Sequence, residues 1–121
     1  MPTSPPRVLL VEDEFLIRLT LSEALADEGF DVIEANDGAE ALRLLKDGSV
    51  SVMLTDIQLP GGMDGPAIMT QAREILPELP VVFMSGRPDS GATLSKLPRT
   101  RFVAKPYRAA DIVAAIRSLI T

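Results

Sequence analysis

Arg7-Val8-Leu9-Leu10-Val11-Glu12-Asp13 is a nearly continuous apolar run that stops abruptly on two acids. A strand covered on both faces reads this way, because neither side of it meets water. The residues after it switch to helical spacing: Ile17, Leu21, Ala24 and Leu25 share one face within 14–28, and Gly29 sits where a helix ends. The pattern that decides the fold is therefore a buried strand, an acidic end and a crossover helix.

Further along, the alternation repeats. Asp31–Ala35 is a second strand, Asn36-Asp37-Gly38 a turn, and Ala39 to Lys46 a short helix closed by Gly48. Val50 to Thr55 forms a third strand ending at Asp56, followed by the breaker-rich Leu59-Pro60-Gly61-Gly62-Met63-Asp64-Gly65. Pro66 suits the first turn of a helix running to about Leu76. Val81–Met84 and Arg101–Ala104 are the fourth and fifth strands, and Ile112, Ala115, Ile116 and Leu119 mark a last helix. Between the fourth and fifth strands, Gly86, Pro88, Gly91 and Pro98 leave room only for a short helix around 92–97. Strands alternating with helices give right-handed βαβ units and a doubly covered parallel sheet. Five units in this length suit an α/β flavodoxin-like (βα)5 fold with strand order 2-1-3-4-5. Residues 7–121 are read as one domain, and residues 1–6, with three prolines, as a disordered head.

Composition narrows the chemistry. The 121 residues are 46% hydrophobic and 24% charged, with four Phe and one Tyr, so the core is expected to be aliphatic. With no His and no Cys, the chain excludes zinc-finger, Ser-His-Asp, Cys-His and dithiol chemistry of its own. Carboxylates, hydroxyls, Lys and Arg remain, helped by a hard cation. Residues 1–64 hold 13 acids and 4 bases, and residues 65–121 hold 4 acids and 8 bases. The bases are scattered and aromatics are few, so a nucleic-acid surface is not expected. No apolar run approaches the length of a bilayer span, and the opening residues lack a signal-peptide core, so a cytoplasmic, membrane-free protein is expected.

In an open parallel sheet, ligands collect at the carboxyl ends of strands where the strand order reverses, here between the first and third strands. Glu12, Asp13 and Asp56 then converge in one crevice. Mutual repulsion there calls for a neutralising partner, either Mg²⁺ or the ammonium of Lys105 just after the fifth strand. Taken singly, each residue has an ordinary reading: Asp13 as a helix cap, Glu12 in solvent, Asp56 in a loop, Ser85 in a turn, Lys105 as a solvated charge. Three acids, a hydroxyl and a lysine all at strand ends form a constellation.

These residues resemble the receiver domain of two-component response regulators, from Arg7 to the end. The matching pieces are Val8-Leu-Leu-Val-Glu-Asp13, Leu54-Thr-Asp-Ile-Gln-Leu-Pro60 with Asp64-Gly65, Phe83-Met-Ser-Gly86, and Phe102-Val-Ala-Lys-Pro-Tyr107. The resemblance implies that Asp56 is the phosphoacceptor and that Glu12, Asp13, Asp56 and the Gln58 backbone carbonyl hold Mg²⁺. It implies that Lys105 and Ser85 contact the phosphoryl group, that Ser85 and Phe102 form a switch, and that the Lys105–Pro106 peptide is cis. The implied donor is a phosphohistidine on a sensor histidine kinase or histidine phosphotransferase, and the implied recipient of the signal is a downstream protein target. The switching surface would be the segment after the fourth strand, the fifth strand and the last helix.

Departures from the pattern are Ser85 for the commoner Thr, Tyr107 for the commoner Phe, and a Gly- and Pro-rich stretch after Ser85, where residues 87–99 are expected to be poorly ordered. No output domain is visible, so the chain is read as a signalling module that catalyses only its own phosphorylation and dephosphorylation. It would act as an adaptor or as a phosphate sink. The rivals are an adaptor that works without phosphorylation, a flavodoxin-like cofactor carrier, and a Mg²⁺-dependent aspartate-nucleophile phosphatase. Gln58 stands where that phosphatase chemistry wants a second carboxylate.

Overall fold

Along each central strand the side chains alternate between two separate cores. In a computed structural model of the chain, Val8 and Leu10 pack on one face of the sheet with Val52, Leu54, Val82 and Met84. Leu9 and Val11 pack on the other with Met53, Val81 and Phe83. This is why the strands read as unbroken apolar runs: both phases of the period-two pattern are buried. The structure is described for residues 5–47, 49–87 and 93–120.

The strands are β1 (Arg7–Val11), β2 (Asp31–Ala35), β3 (Val52–Asp56), β4 (Val81–Ser85) and β5 (Thr100–Ala104). All pair in parallel, in the order β2-β1-β3-β4-β5. The helices are α1 (Phe15–Asp27), α2 (Gly38–Asp47), α3 (Gly65–Ile75) and α4 (Ala109–Ile120). Leu21 and Leu25 of α1 and Ile112 and Ile116 of α4 enter the first core, whereas Ala41, Leu45, Ile68 and Ala72 of α2 and α3 enter the second. The cores are largely aliphatic, with Phe83 and Phe30 as their buried aromatics. Among the described residues, no helix is long and apolar enough to cross a membrane.

Local chemistry sets the helix ends. Gly29 takes φ +93° after α1, and its N–H bonds to Ala26 O while that of Phe30 bonds to Leu25 O, the paired bonds of a Schellman ending. Asp64 caps α3 by accepting from Ala67 N at 2.9 Å, with Pro66 in the first turn.

Several strand boundaries differ from the sequence reading. β3 starts at Val52, not Val50, because the Ser51 hydroxyl rather than a backbone carbonyl accepts Arg7 N, at 3.1 Å. The strands β3 and β4 each run one residue further and include Asp56 and Ser85, since Ile57 N bonds to Met84 O and Lys105 N to Ser85 O. Between β4 and β5, only Thr93 and Leu94 are helical among the described residues. Lys96 N and Leu97 N bond back three residues, to Thr93 O and Leu94 O, as in a single turn. Residues 95–97 of the expected helix are turn rather than helix, while its residue 92, and residues 88–91 of the stretch expected to be poorly ordered, lie outside the described residues, as do residues 1–4 of the expected head.

Candidate functional site

The ends of β1, β3, β4 and β5 carry polar groups into one place. Glu12 continues β1, and its N–H donates to Ala35 O at 3.1 Å. Its side chain is buried at 1% exposure, so it does not stand in solvent. Asp13 is exposed and does not cap α1, whose N-cap is Glu14. Asp56, the last residue of β3, is 5% exposed. One carboxylate oxygen from each of Glu12, Asp13 and Asp56 lies within 4.8 Å of the other two.

Charge is poorly compensated inside this cluster. Lys105 Nζ lies 2.8 Å from Asp56 Oδ1. Glu12 Oε2 accepts Glu14 N at 3.2 Å, but Glu12 Oε1 finds no hydrogen-bond partner among the described residues. Burial, then the close approach and charge of Asp56, push the Glu12 carboxyl up to about 8. Burial alone would lower Lys105, but its hydrogen bond to Asp56 and the charges of Asp56, Glu12 and Glu14 outweigh that and hold the ammonium above its usual value. Tyr107 is raised to about 12, by burial first and then by Glu12 and Asp56. An unpartnered buried carboxylate oxygen beside two further hard oxygen donors fits a hard divalent cation such as Mg²⁺, which binds through one or two carboxylates and keeps several waters.

Ser85 ends β4 and is 1% exposed. Its hydroxyl donates to Gln58 Oε1 at 3.1 Å and accepts Arg87 N at 3.0 Å. Gln58 is exposed, two residues past Asp56. Phe102 is half-buried on β5, opposite Phe83 of β4, and packs against the core beneath α2 and α3. The Lys105–Pro106 peptide is cis.

Two features escape a reading of residue types alone. At Gly65, a Cβ would stand 2.4 Å from Asp56 O and 3.1 Å from Phe83 Cε1, so α3 begins flat against the backbone of Asp56. The Gly65 N–H donates to Ile57 O at 2.8 Å and fixes that approach. The signal in the sequence is a glycine directly after a helix-capping Asp64, where a helix former would otherwise serve. The other feature is the reach of the Gln58 side chain, which the sequence reading used for its backbone carbonyl and for lacking a carboxylate. No spacing rule reveals that it reaches Ser85, 27 residues away.

A family profile described as the response regulator receiver domain matches residues 8–117. The response regulator receiver protein CpdR of Brucella abortus (strain 2308) is 35% identical over 121 residues, covering 94% of this chain and 96% of that protein. The sensor kinase CckA of the same organism is 31% identical over 93% of this chain, which spans only 12% of the kinase. Among solved structures, a response regulator receiver protein from Sinorhizobium medicae WSM419 superposes with a TM-score of 0.86 at 30% identity, covering 96% of this chain and 94% of that one. The chain belongs to the response regulator receiver domain family.

Proposed function

We propose that Asp56 accepts a phosphoryl group from a phosphohistidine carried by a sensor histidine kinase or histidine phosphotransferase, and that the phosphorylated domain signals to a downstream protein. The observation that supports this reading is the buried Asp56 carboxylate, held at 2.8 Å by Lys105 beside the unpartnered oxygen of Glu12. The Asp56 oxygen attacks phosphorus, the donor P–N bond breaks, an O–P bond forms, and the imidazole departs with a proton from solvent. Such transfer needs alignment and charge stabilisation more than proton shuttling.

Glu12, Asp13, Asp56 and the Gln58 backbone carbonyl are the groups that would hold Mg²⁺. When bound, the ion supplies positive charge to the phosphoryl oxygens and relieves the repulsion between the carboxylates. Lys105 provides a second positive charge in a crevice where burial strengthens it. Ser85 offers the hydroxyl that can turn toward a modified Asp56, and Phe102 the ring whose packing would follow. A two-state switch of this kind needs only a few kcal/mol between its packings.

Receiver domains are signalling modules, and the site argues against turnover of phosphate esters by this one. The Gln58 amide, already engaged with Ser85, cannot donate and reclaim a proton as a second carboxylate would. The test is incubation with a small acyl phosphate and Mg²⁺, read by intact mass. A labile gain of one phosphoryl group that needs Mg²⁺ and is lost in Asp56→Asn is expected. Full labelling in EDTA, or in Asp56→Asn, would overturn the proposal.

A further inference from the structure

Arg18 of α1 reaches across the top of the sheet and contacts three segments at once. Its Nη1 donates to Glu12 O at 2.8 Å and to Asn36 Oδ1 at 2.6 Å, and its Nε donates to Glu34 Oε1 at 2.9 Å. The side chain is only 12% exposed, and its guanidinium lies 5.7 Å from the centre of the Phe15 ring. Glu34 is itself oriented by the Ser22 hydroxyl at 3.1 Å. A planar guanidinium with a rigid fork of donors holds such a set of acceptors in a way that a lysine ammonium cannot.

The consequence falls on Glu12. Its N–H is tied to Ala35 O and its C=O to Arg18, so the peptide units on either side of Glu12 are both fixed. A buried carboxylate beside Asp56 is driven outward by desolvation and like-charge repulsion, and a free main chain would let it swing into water. We infer that Arg18 is a positioning residue for the divalent-cation site, acting through the main chain of Glu12 and holding that carboxylate in the crevice before the ion arrives. The inference rests on the reading of Glu12, Asp13 and Asp56 as that site.

Coulomb attraction alone makes the opposite forecast. Removing the positive charge of a guanidinium bonded to the Glu12 main-chain oxygen should tighten cation binding, whereas loss of positioning should weaken it. The experiment is Mn²⁺ binding to the whole chain, followed by the loss of free-ion signal in electron paramagnetic resonance. The proteins are the unaltered chain, Arg18→Gln, the charge-neutral Asn36→Ala, and Arg7→Gln. The last removes one positive charge and a different β1–β2 ion pair, the 2.8 Å contact with Asp31. Groups that orient metal ligands without touching the metal carry about 10–100-fold in affinity, and a weakening of that order is expected for Arg18→Gln. A smaller weakening is expected for Asn36→Ala, and none for Arg7→Gln. Unchanged or tighter binding in Arg18→Gln overturns the inference while leaving the cation site intact. Absence of binding by the unaltered chain overturns the site itself. Should Arg18→Gln fail to fold, Asn36→Ala decides by the same criterion.

Discussion

Lys105 Nζ and Asp56 Oδ1 meet at 2.8 Å across two strand ends that are not neighbours in the sheet, β3 and β5. The pair is asymmetric: the carboxylate side chain is 7% exposed and the lysine 33%. The anion is thus fixed in a dry place, while the cation reaches it from the rim. Such an arrangement keeps a positive group beside Asp56, where the proposed phosphoryl charge would arrive.

Replacing Lys105 by Met should therefore cost more in reaction than in folding. Loss of one preorganised charge-stabilising group typically lowers a rate by about 100-fold or more, and labelling of Asp56 by a small phosphodonor should slow by that order. Because the lysine is partly solvated, the stability lost should be modest. Labelling at the unaltered rate would remove Lys105 from the chemistry.

Glu12 makes the metal-free protein sensitive to pH. Its folded-state carboxyl is raised from 4.5 to about 8, so between these values the folded chain binds more protons than the unfolded one. Stability must then fall as pH rises through this window and level off above it. Each pH unit crossed inside the window removes at most about 1.4 kcal/mol, so the whole loss is on the order of a few kcal/mol. Urea unfolding in EDTA from pH 5 to 9 should show the decline, and Glu12→Gln should flatten it. Lys105 acts with the same sign in a higher window, since a raised lysine contributes stability that is lost only above about 10.5, its ordinary value.

Divalent ions should reverse this penalty. Saturating Mg²⁺ binds the folded chain in preference to the unfolded one and so should raise the melting temperature. Asp13→Ala removes an exposed carboxylate of the proposed cation site without touching the core and should abolish most of the rise. An equal rise in both proteins would place the ion elsewhere.

Gly65 should be irreplaceable even by alanine. The added methyl would meet the Asp56 carbonyl at 2.4 Å, and the strand or α3 must shift. Overpacking of this kind costs about 1–3 kcal/mol, and phosphoryl acceptance should fall with the displaced Asp56. Gly86→Ala, where the new methyl meets open space, is the matched control and should unfold in urea as the unaltered chain does.

Ser85→Ala separates chemistry from signalling. It removes the hydroxyl that Gln58 accepts and that receives Arg87 N, but leaves Asp56, Lys105 and the carboxylates in place. Asp56 should still be labelled, while the nuclear magnetic resonance shifts of the Phe102 ring on phosphorylation should shrink. An unchanged Phe102 response would remove Ser85 from the switch.

The residues differ in how openly the sequence displayed them. Val8 to Val11 and Val81 to Met84 announce buried strands because both faces of each are covered, and Gly29 and Asp64-Gly65-Pro66 mark helix ends by their own backbone chemistry. Strand order followed from the fit of five βα units to a flavodoxin-like arrangement, and with it the meeting of Glu12, Asp13 and Asp56. The burial of Glu12 was not legible, since an acid after a strand is as often solvated. Nor was Arg18: in a helical repeat it is one more polar position, and only the fold brings Glu12 O and Asn36 within its reach. Gln58 and Gly65 act through contacts set by loop geometry, which neither periodicity nor composition encodes.

The proposed phosphoryl acceptance rests on one oxygen atom of Asp56. Borohydride reduction of the phosphorylated chain converts an aspartyl phosphate to homoserine, and fragment mass analysis then reads its position. Homoserine at residue 56, formed only after treatment with phosphodonor and Mg²⁺, is the predicted result. Homoserine at residue 13, or a phosphoryl group retained on a serine or threonine, would contradict the account.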